Sequence, residues 1–289
     1  MGTSNSNSGT RGSGTPLVPS WIETPPGAGD APIPANGPIE QVNPSKVDPV
    51  LAPVPPPGPP ERFTGPRSNF SRFASSGGTN RAALGRSISD YVSKSTGGAR
   101  NAARKMGSSR VAGGRLLSFL SDVSLRGIQE ALRTLKLDSL VGRSIEDVFI
   151  GVSDFVCPEG GNVDTNIARE AYFATIAELA ANGITDFENL TFEQIQVVFE
   201  IFATNAIEAR ILNDIGNKVI SVPESVSDSF NVQEQLEEFI RNAIADALTA
   251  AGGVLQGGIP DKAIKFVDDV YERAFTLLQI MGNRESEAV

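Results

Sequence analysis

The 289-residue sequence contains no histidine. That absence removes His-based general acid–base catalysis, Ser-His-Asp and Cys-His nucleophile activation, and every metal site that includes an imidazole. There is a single cysteine, Cys157. No disulfide can form within the chain, and a zinc site would have to be built from carboxylates. No run of about 18 apolar residues occurs, so no membrane-spanning helix is expected. The first residues lack the basic and apolar segments of a secretory signal, and the chain reads as cytoplasmic. Neither a GxxxxGKS/T loop nor a GxGxxG turn after a strand is present, which removes two phosphate-cradling signatures. No cofactor and no metal are expected.

What is present is unevenly distributed. The net charge is −9, yet residues 1–120 hold 13 Lys+Arg against 6 Asp+Glu, and residues 121–289 hold 12 against 28. The chain is therefore polarised, basic in front and acidic behind. Residues 1–61 open with a Gly/Ser/Asn linker composition and end in PVPPPGPP. They read as a disordered tail with a polyproline II spacer. Residues 62–115 hold 11 Lys+Arg and one acid, Asp90. They read as a basic arm in which glycines interrupt two short helical patterns, at 80–93 and 99–106.

Residues 116–289 carry helical periodicity and predict an acidic, all-α domain of five to seven helices. Two short amphipathic helices are expected at 115–121 and 125–137. Ser144-Ile-Glu-Asp147 and Thr191-Phe-Glu-Gln194 have the form of capping boxes. The first opens a helix to about Val156, which Pro158 and Gly160-Gly161 close. A long helix is expected from Asp164 to Asn182, ended by Gly183. Phe192, Ile195, Phe199, Phe202, Ala206, Ala209 and Leu212 form an apolar stripe at steps of three and four. Val232–Ala251 is a further helix, and Pro260 starts the last. Val152–Val156 and Lys218–Val222 are the only strand-like runs, both short and without partners.

Candidate chemistry is sparse. Cys157 has no histidine to activate it and reads as a buried structural thiol. Glu237-Glu238 and Asp268-Asp269 are adjacent on helices, about 100° apart, and read as solvated faces. In the basic arm, Phe63, Phe70, Phe73 and Tyr91 lie among arginines that include Arg62, Arg67 and Arg72. Aromatics can stack on bases while arginines hold phosphates, so single-stranded nucleic acid is a candidate partner there. The alternative is that the basic segment lies on this protein's own acidic body or on an acidic partner.

The tail remains. Gly2 is small enough for removal of the initiator methionine, which exposes a glycine amine. An α-amino group has a pKa of about 8, so a useful fraction is neutral and nucleophilic at cellular pH. MGTSNS also matches the N-myristoylation pattern, but no polybasic second signal adjoins it. Met1-Gly2-Thr3-Ser4, a Ser/Gly/Asn linker and then Thr15-Pro16-Leu17-Val18-Pro19-Ser20-Trp21 resemble the N-terminus of the QatB family of the bacterial four-gene Qat anti-phage defence system. The resemblance extends to the Pro-rich segment, to Arg62–Phe73 and to the helical C-terminal body.

That resemblance implies a substrate, not an enzyme. A QueC-like, ATP-using partner (QatC) would join a 7-deazaguanine base through an amide to the amine of Gly2. Thr3 and Ser4 would be read in the partner's channel. Pro16, Leu17, Val18, Pro19 and Trp21 would form the docking anchor, since a rigid Pro-flanked apolar cluster with Trp makes a good hot spot. The system ATPase and a TatD-like nuclease are the other implied partners, and no membrane is implied.

Overall fold

Short polar residues set the helix starts in the computed structural model, which describes residues 59–181, 190–216, 225–252 and 263–288. Asn80 accepts from the Ala83 amide at 3.0 Å, Ser144 from Asp147 at 3.1 Å, and Ser225 from Asp228 at 3.0 Å. Each satisfies an orphan N–H of a first turn. At Thr191 the reciprocal box is complete: Gln194 N–H donates to Thr191 Oγ1 at 3.3 Å, and Thr191 N–H donates to Gln194 Oε1 at 2.9 Å. Glycines close the first helix. Gly77 and Gly78 take positive φ, and their amides return to the carbonyls of Ala74 and Phe73, the two bonds of a Schellman end.

These signals delimit eleven α-helices among the described residues: α1 (Thr64–Ser75), α2 (Arg81–Asp90), α3 (Ala99–Lys105), α4 (Ser108–Arg126), α5 (Ile128–Thr134), α6 (Ile145–Gly151), α7 (Ser153–Val156), α8 (Val163–Ala181), α9 (Phe192–Asp214), α10 (Val226–Ala250) and α11 (Ala263–Glu287). A 3-10 turn, Pro60–Phe63, leads into α1, and a π turn, Tyr91–Ser95, follows α2. The all-α class holds, and no strand occurs among the described residues. Ser153–Val156, part of a strand-like run in the sequence, is a helical turn. Lys218–Val222, Gly183 and Pro260 lie outside the described residues, as does residues 1–58 of the expected tail.

The segment 62–115 differs most from expectation. It is not an arm set apart from the helical body. It supplies α1, α2, α3 and the first part of α4, and its apolar residues join the same core as the later helices. In α1, Pro66, Phe70, Phe73 and Ala74 are buried, a spacing of four, seven and eight that makes one helix face. Pro66 lies in the first turn of α1, where a proline costs no hydrogen bond. In α4, Gly113 and Gly114 are packing positions and not interruptions. A Cβ on Gly114 would lie 2.5 Å from Ile264 Cγ1, and one on Gly113 would lie 3.2 Å from the rings of Phe199 and Phe202.

The most extensive helix contact is between α2 and α11. It depends on two glycines facing each other. A Cβ built on Gly85 would come within 2.6 Å of the Gly282 carbonyl oxygen, and one on Gly282 within 2.6 Å of the Gly85 carbonyl oxygen. The obstacle in each case is backbone, which cannot swing aside as a side chain can. α11 also packs on α3, α4 and α10, while α9 is enclosed by α4, α8 and α10. All described residues belong to one compact unit, Asp48–Val289.

Charge follows the same seams. Arg110 of α4, with its side chain 4% exposed, makes a two-pronged ion pair with Asp268 of α11. Arg81 of α2 meets Glu285 of α11 at 3.5 Å. The basic segment thus lies on the protein's own acidic helices. Asp268 and Glu237, read as members of solvated acidic pairs, are each engaged by an arginine, Arg110 and Arg241 respectively. α10 begins six residues before the expected Val232, because its first two turns stand clear of the core. Val226 and Phe230 are 74% and 67% exposed, and burial begins at Leu236.

Two outcomes are expected. A fragment starting at residue 116 will not unfold cooperatively, because it lacks the buried Phe70, Phe73, Leu84, Ile88 and Tyr91. At about 1.5–3 kcal/mol per large apolar side chain, that loss is comparable to the roughly 5–15 kcal/mol stability of a domain. A fragment starting at Pro59 will keep a single cooperative transition by circular dichroism. Gly282→Ala will lower stability by up to about 2 kcal/mol in urea titrations. Overpacking against backbone costs about 1–3 kcal/mol, which outweighs the roughly 1 kcal/mol gained in helix propensity. Gly161→Ala, where the added methyl meets open space, is the matched control and will change little.

Candidate functional site

The tail residues Gly2, Thr3, Ser4, Pro16, Leu17, Val18, Pro19 and Trp21 lie outside the described residues. The residues singled out as a nucleic-acid surface are all described, and the structure separates them. Phe70 and Phe73 are 4% and 0% exposed, so neither ring can stack on a base. Their rings lie 5.8 Å apart, packed on each other. Arg72 is exposed on α1. Arg62 and Arg67 both place their guanidinium carbon over the Phe63 ring, at 4.7 and 5.1 Å from its centroid. The Arg/Phe interleaving of this stretch is therefore an internal cation–π arrangement.

Arg62 and Arg67 belong to a larger group at the C-terminal end of α9. Arg67 Nη2 donates to the Asp214 carbonyl at 2.7 Å, capping one of the helix's orphan acceptors. Tyr91 Oη donates to Asp214 Oδ2 at 2.9 Å, and Asn213 Nδ2 to Asp214 Oδ1 at 3.2 Å. Burial first, and then the Asp214 carboxylate, hold the Tyr91 phenol well above its ordinary value. Arg210, 7% exposed, is paired with Asp164 of α8. Lys105, half-buried at the end of α3, has its pKa lowered, first by desolvation and then by the nearby Arg62. No sequence signal assembles this cluster, since its members come from six separate elements.

Cys157 is where the sequence places it chemically. It is 4% exposed, its Sγ lies 3.6 Å from the Ala168 carbonyl, and burial raises its pKa to about 12. A thiol held protonated in this way is a poor nucleophile. It borders a cavity of about 200 Å³ with Val111, Arg115 and Ala168. A shallower groove of about 500 Å³ runs along α11 past Asp269, Glu272, Arg273 and Thr276. Among the described residues no cluster of three or more acidic or cysteine side chains could hold a metal ion, and no helix is long and apolar enough to cross a membrane.

One buried acid was not singled out in the sequence. Glu208 of α9 is 6% exposed, and its Oε1 has no hydrogen-bond partner. Burial, followed by the nearby Glu237 and Glu178 carboxylates, raises its pKa from 4.5 to about 7. Arg241 opposes this only in part, because it bridges Glu178 at 2.6 Å and also pairs with Glu237. The folded carboxyl keeps its proton to higher pH than the unfolded one. The stability it supports is therefore full below about pH 4.5 and declines as pH rises toward 7. Glu208→Gln is expected to raise stability by about 1–3 kcal/mol at pH 8 and to flatten the fall between pH 5 and 7, as read by urea denaturation across that range.

With the geometry in place, comparison with known proteins is informative at one level. A family model described as "Qat anti-phage system associated protein QatB" matches residues 97–278, from the residues just before α3 well into α11. No curated protein and no solved structure matches the chain. The match covers more than half of the sequence, and the chain belongs to the QatB family.

Proposed function

We propose that this protein serves anti-phage defence as a modified substrate and adaptor, its Gly2 amine joined to a 7-deazaguanine base by a QueC-like partner enzyme (QatC). As a QatB family member it is a component of an anti-phage defence system. The observation that carries the finer reading is the order of its first 21 residues: an acceptor-type Met1-Gly2-Thr3-Ser4, a Gly/Ser/Asn linker, and Pro16-Leu17-Val18-Pro19-Ser20-Trp21. In the reaction, the neutral Gly2 amine attacks a carboxyl carbon on the base that the partner has activated with ATP. A C–N amide bond forms, the activating group departs, and the amine releases its proton to solvent. Thr3 and Ser4 lie in the partner's channel, and Leu17, Val18 and Trp21 grip its surface. The system ATPase and TatD-like nuclease are the further partners of the modified chain, in the cytoplasm.

The packing of the body favours this reading over a nucleic-acid-binding scaffold. Phe70 and Phe73 are consumed by the core, and Arg67 is engaged with α9. The 58 residues before Pro59 also have linker composition, Gly/Ser/Asn-rich and then Pro-rich. That length lets Gly2 enter a partner's active site while the helical body stays outside.

Two substitutions separate acceptor from anchor. Gly2→Pro leaves a hindered secondary amine and is expected to abolish the added mass without weakening docking. Trp21→Ala keeps the acceptor but removes about 2 kcal/mol of interface energy, roughly a thirtyfold loss in affinity. Excess partner enzyme will therefore restore modification of Trp21→Ala and not of Gly2→Pro. The readout is intact mass after co-expression with the QueC-like enzyme, together with a pull-down. Wild-type protein without added mass, or with the mass on a lysine, overturns the proposal.

A further inference from the structure

The charges at the C-terminal end of α9 do not balance. Arg62, Arg67, Lys105 and Arg210 gather there. Among the described residues, two carboxylates, Asp164 and Asp214, stand against these four cations. Asp164 is occupied by Arg210. The two oxygens of Asp214 accept from the neutral donors Tyr91 and Asn213. Two positive charges are left over. The α9 macrodipole contributes only about half a negative charge at this end, and the Arg67 bond to the Asp214 carbonyl already uses it.

The donors are unmatched as well. Nε of Arg62, of Arg67 and of Arg210 are each buried without a hydrogen-bond partner among the described residues. A buried unpaired donor costs about 1–3 kcal/mol, more when charged, and three on neighbouring arginines form a concentrated deficit. The mutual repulsion is visible at Lys105, whose ammonium is disfavoured by burial and then by Arg62. Arg210 itself is 7% exposed and held in place by its pair with Asp164, so part of the site is preorganised. Arg62, Arg67 and Lys105 are only half-buried, which leaves the cluster a face to solvent.

We propose that Arg62, Arg67, Lys105 and Arg210 form a binding site for the phosphate group of a small ligand. A phosphate dianion supplies the two missing charges. Its oxygens offer several acceptors at once to guanidinium N–H groups, the geometry for which arginine is suited. Arg62 and Arg67 were singled out in the sequence for phosphate contact through nucleic acid; here they serve a discrete site without any stacking ring, because Phe63, Phe70 and Phe73 are core residues. The phosphate is either the free inorganic ion or the terminal group of a nucleotide, and the two are distinguished by experiment.

The test uses the full-length protein in chloride buffer of fixed ionic strength, with thermal unfolding followed as inorganic phosphate or a nucleoside monophosphate is added at low millimolar concentration. At ligand well above its Kd, Tm is expected to rise by about 5 °C or more, and the more effective ligand identifies the source. Lys105→Gln and Arg62→Gln are expected to abolish the rise. Lys94→Gln, which removes a surface lysine paired with Asp90, will keep it. A second readout separates a binding role from a structural one: unliganded Lys105→Gln is expected to melt higher than wild type, since the substitution relieves repulsion. No rise in wild type overturns the proposal, as does an equal rise in Lys105→Gln or a lower Tm for that variant without ligand. Binding of a single-stranded oligonucleotide with no response to either small ligand also overturns it, and assigns the cluster to a nucleic-acid surface.

Discussion

The backbone contact between α2 and α11, at Gly85 and Gly282, is the constraint from which most of the packing follows. Two helices whose carbonyls each sit where the other's Cβ would be must cross at one point. Once α11 is fixed there, its length carries the apolar face of Phe266, Val270, Ala274 and Leu278 past α4 and α10, and α10 in turn closes over α9. The segment that composition assigns to a basic arm becomes the other half of the core. Its helices α2 and α3 cover the surface that α11 would otherwise leave bare, and α1 packs in turn on α2.

Electrostatics reinforce this arrangement without driving it. The polarity of the sequence, basic in front and acidic behind, is partly internal complementarity: Arg110 reaches Asp268, and Arg81 reaches Glu285. The buried Arg110 pair discriminates between arrangements more than it adds net stability, because desolvation consumes much of the Coulombic gain. The exception is the end of α9, where cations outnumber the carboxylates that face them. That surplus of cations is the observation on which the proposed phosphate site rests.

The sequence revealed much about where helices begin and little about which faces meet. The Thr191 box and the Ser144 cap were legible because capping is local, decided within four residues. The stripe from Phe192 to Leu212 was legible because helical periodicity is. α1 was hidden because the arginines and aromatics of its stretch read as a basic arm, although Pro66 is harmless in a first turn. α4 was partly hidden by Gly113-Gly114, whose role appears only once Phe199, Phe202 and Ile264 are beside them. The arginines misled for the same reason. Arg110 and Arg210 look solvent-facing in a list of residues, yet their partners lie 158 and 46 positions away. Glu208 carried no sign of its burial at all. The candidate acceptor Gly2 and its anchor are the reverse case: they are legible only in the sequence.

The pairing of Arg110 with Asp268 and the meeting of Gly85 with Gly282 together make a ruler of α11. Fourteen residues separate Asp268 from Gly282, about 21 Å along a helix and within about 40° of four full turns. Both fixed points therefore fall on nearly one face. The exposed side chains along that interval are free to vary, while Val270, Tyr271, Ala274, Phe275 and Leu278 stay in the core, and its length is fixed. One residue inserted or deleted rotates the far end by about 100°, and either the ion pair or the glycine contact is lost. Natural variation in this stretch should therefore come as replacements, with insertions and deletions confined to the connections outside it.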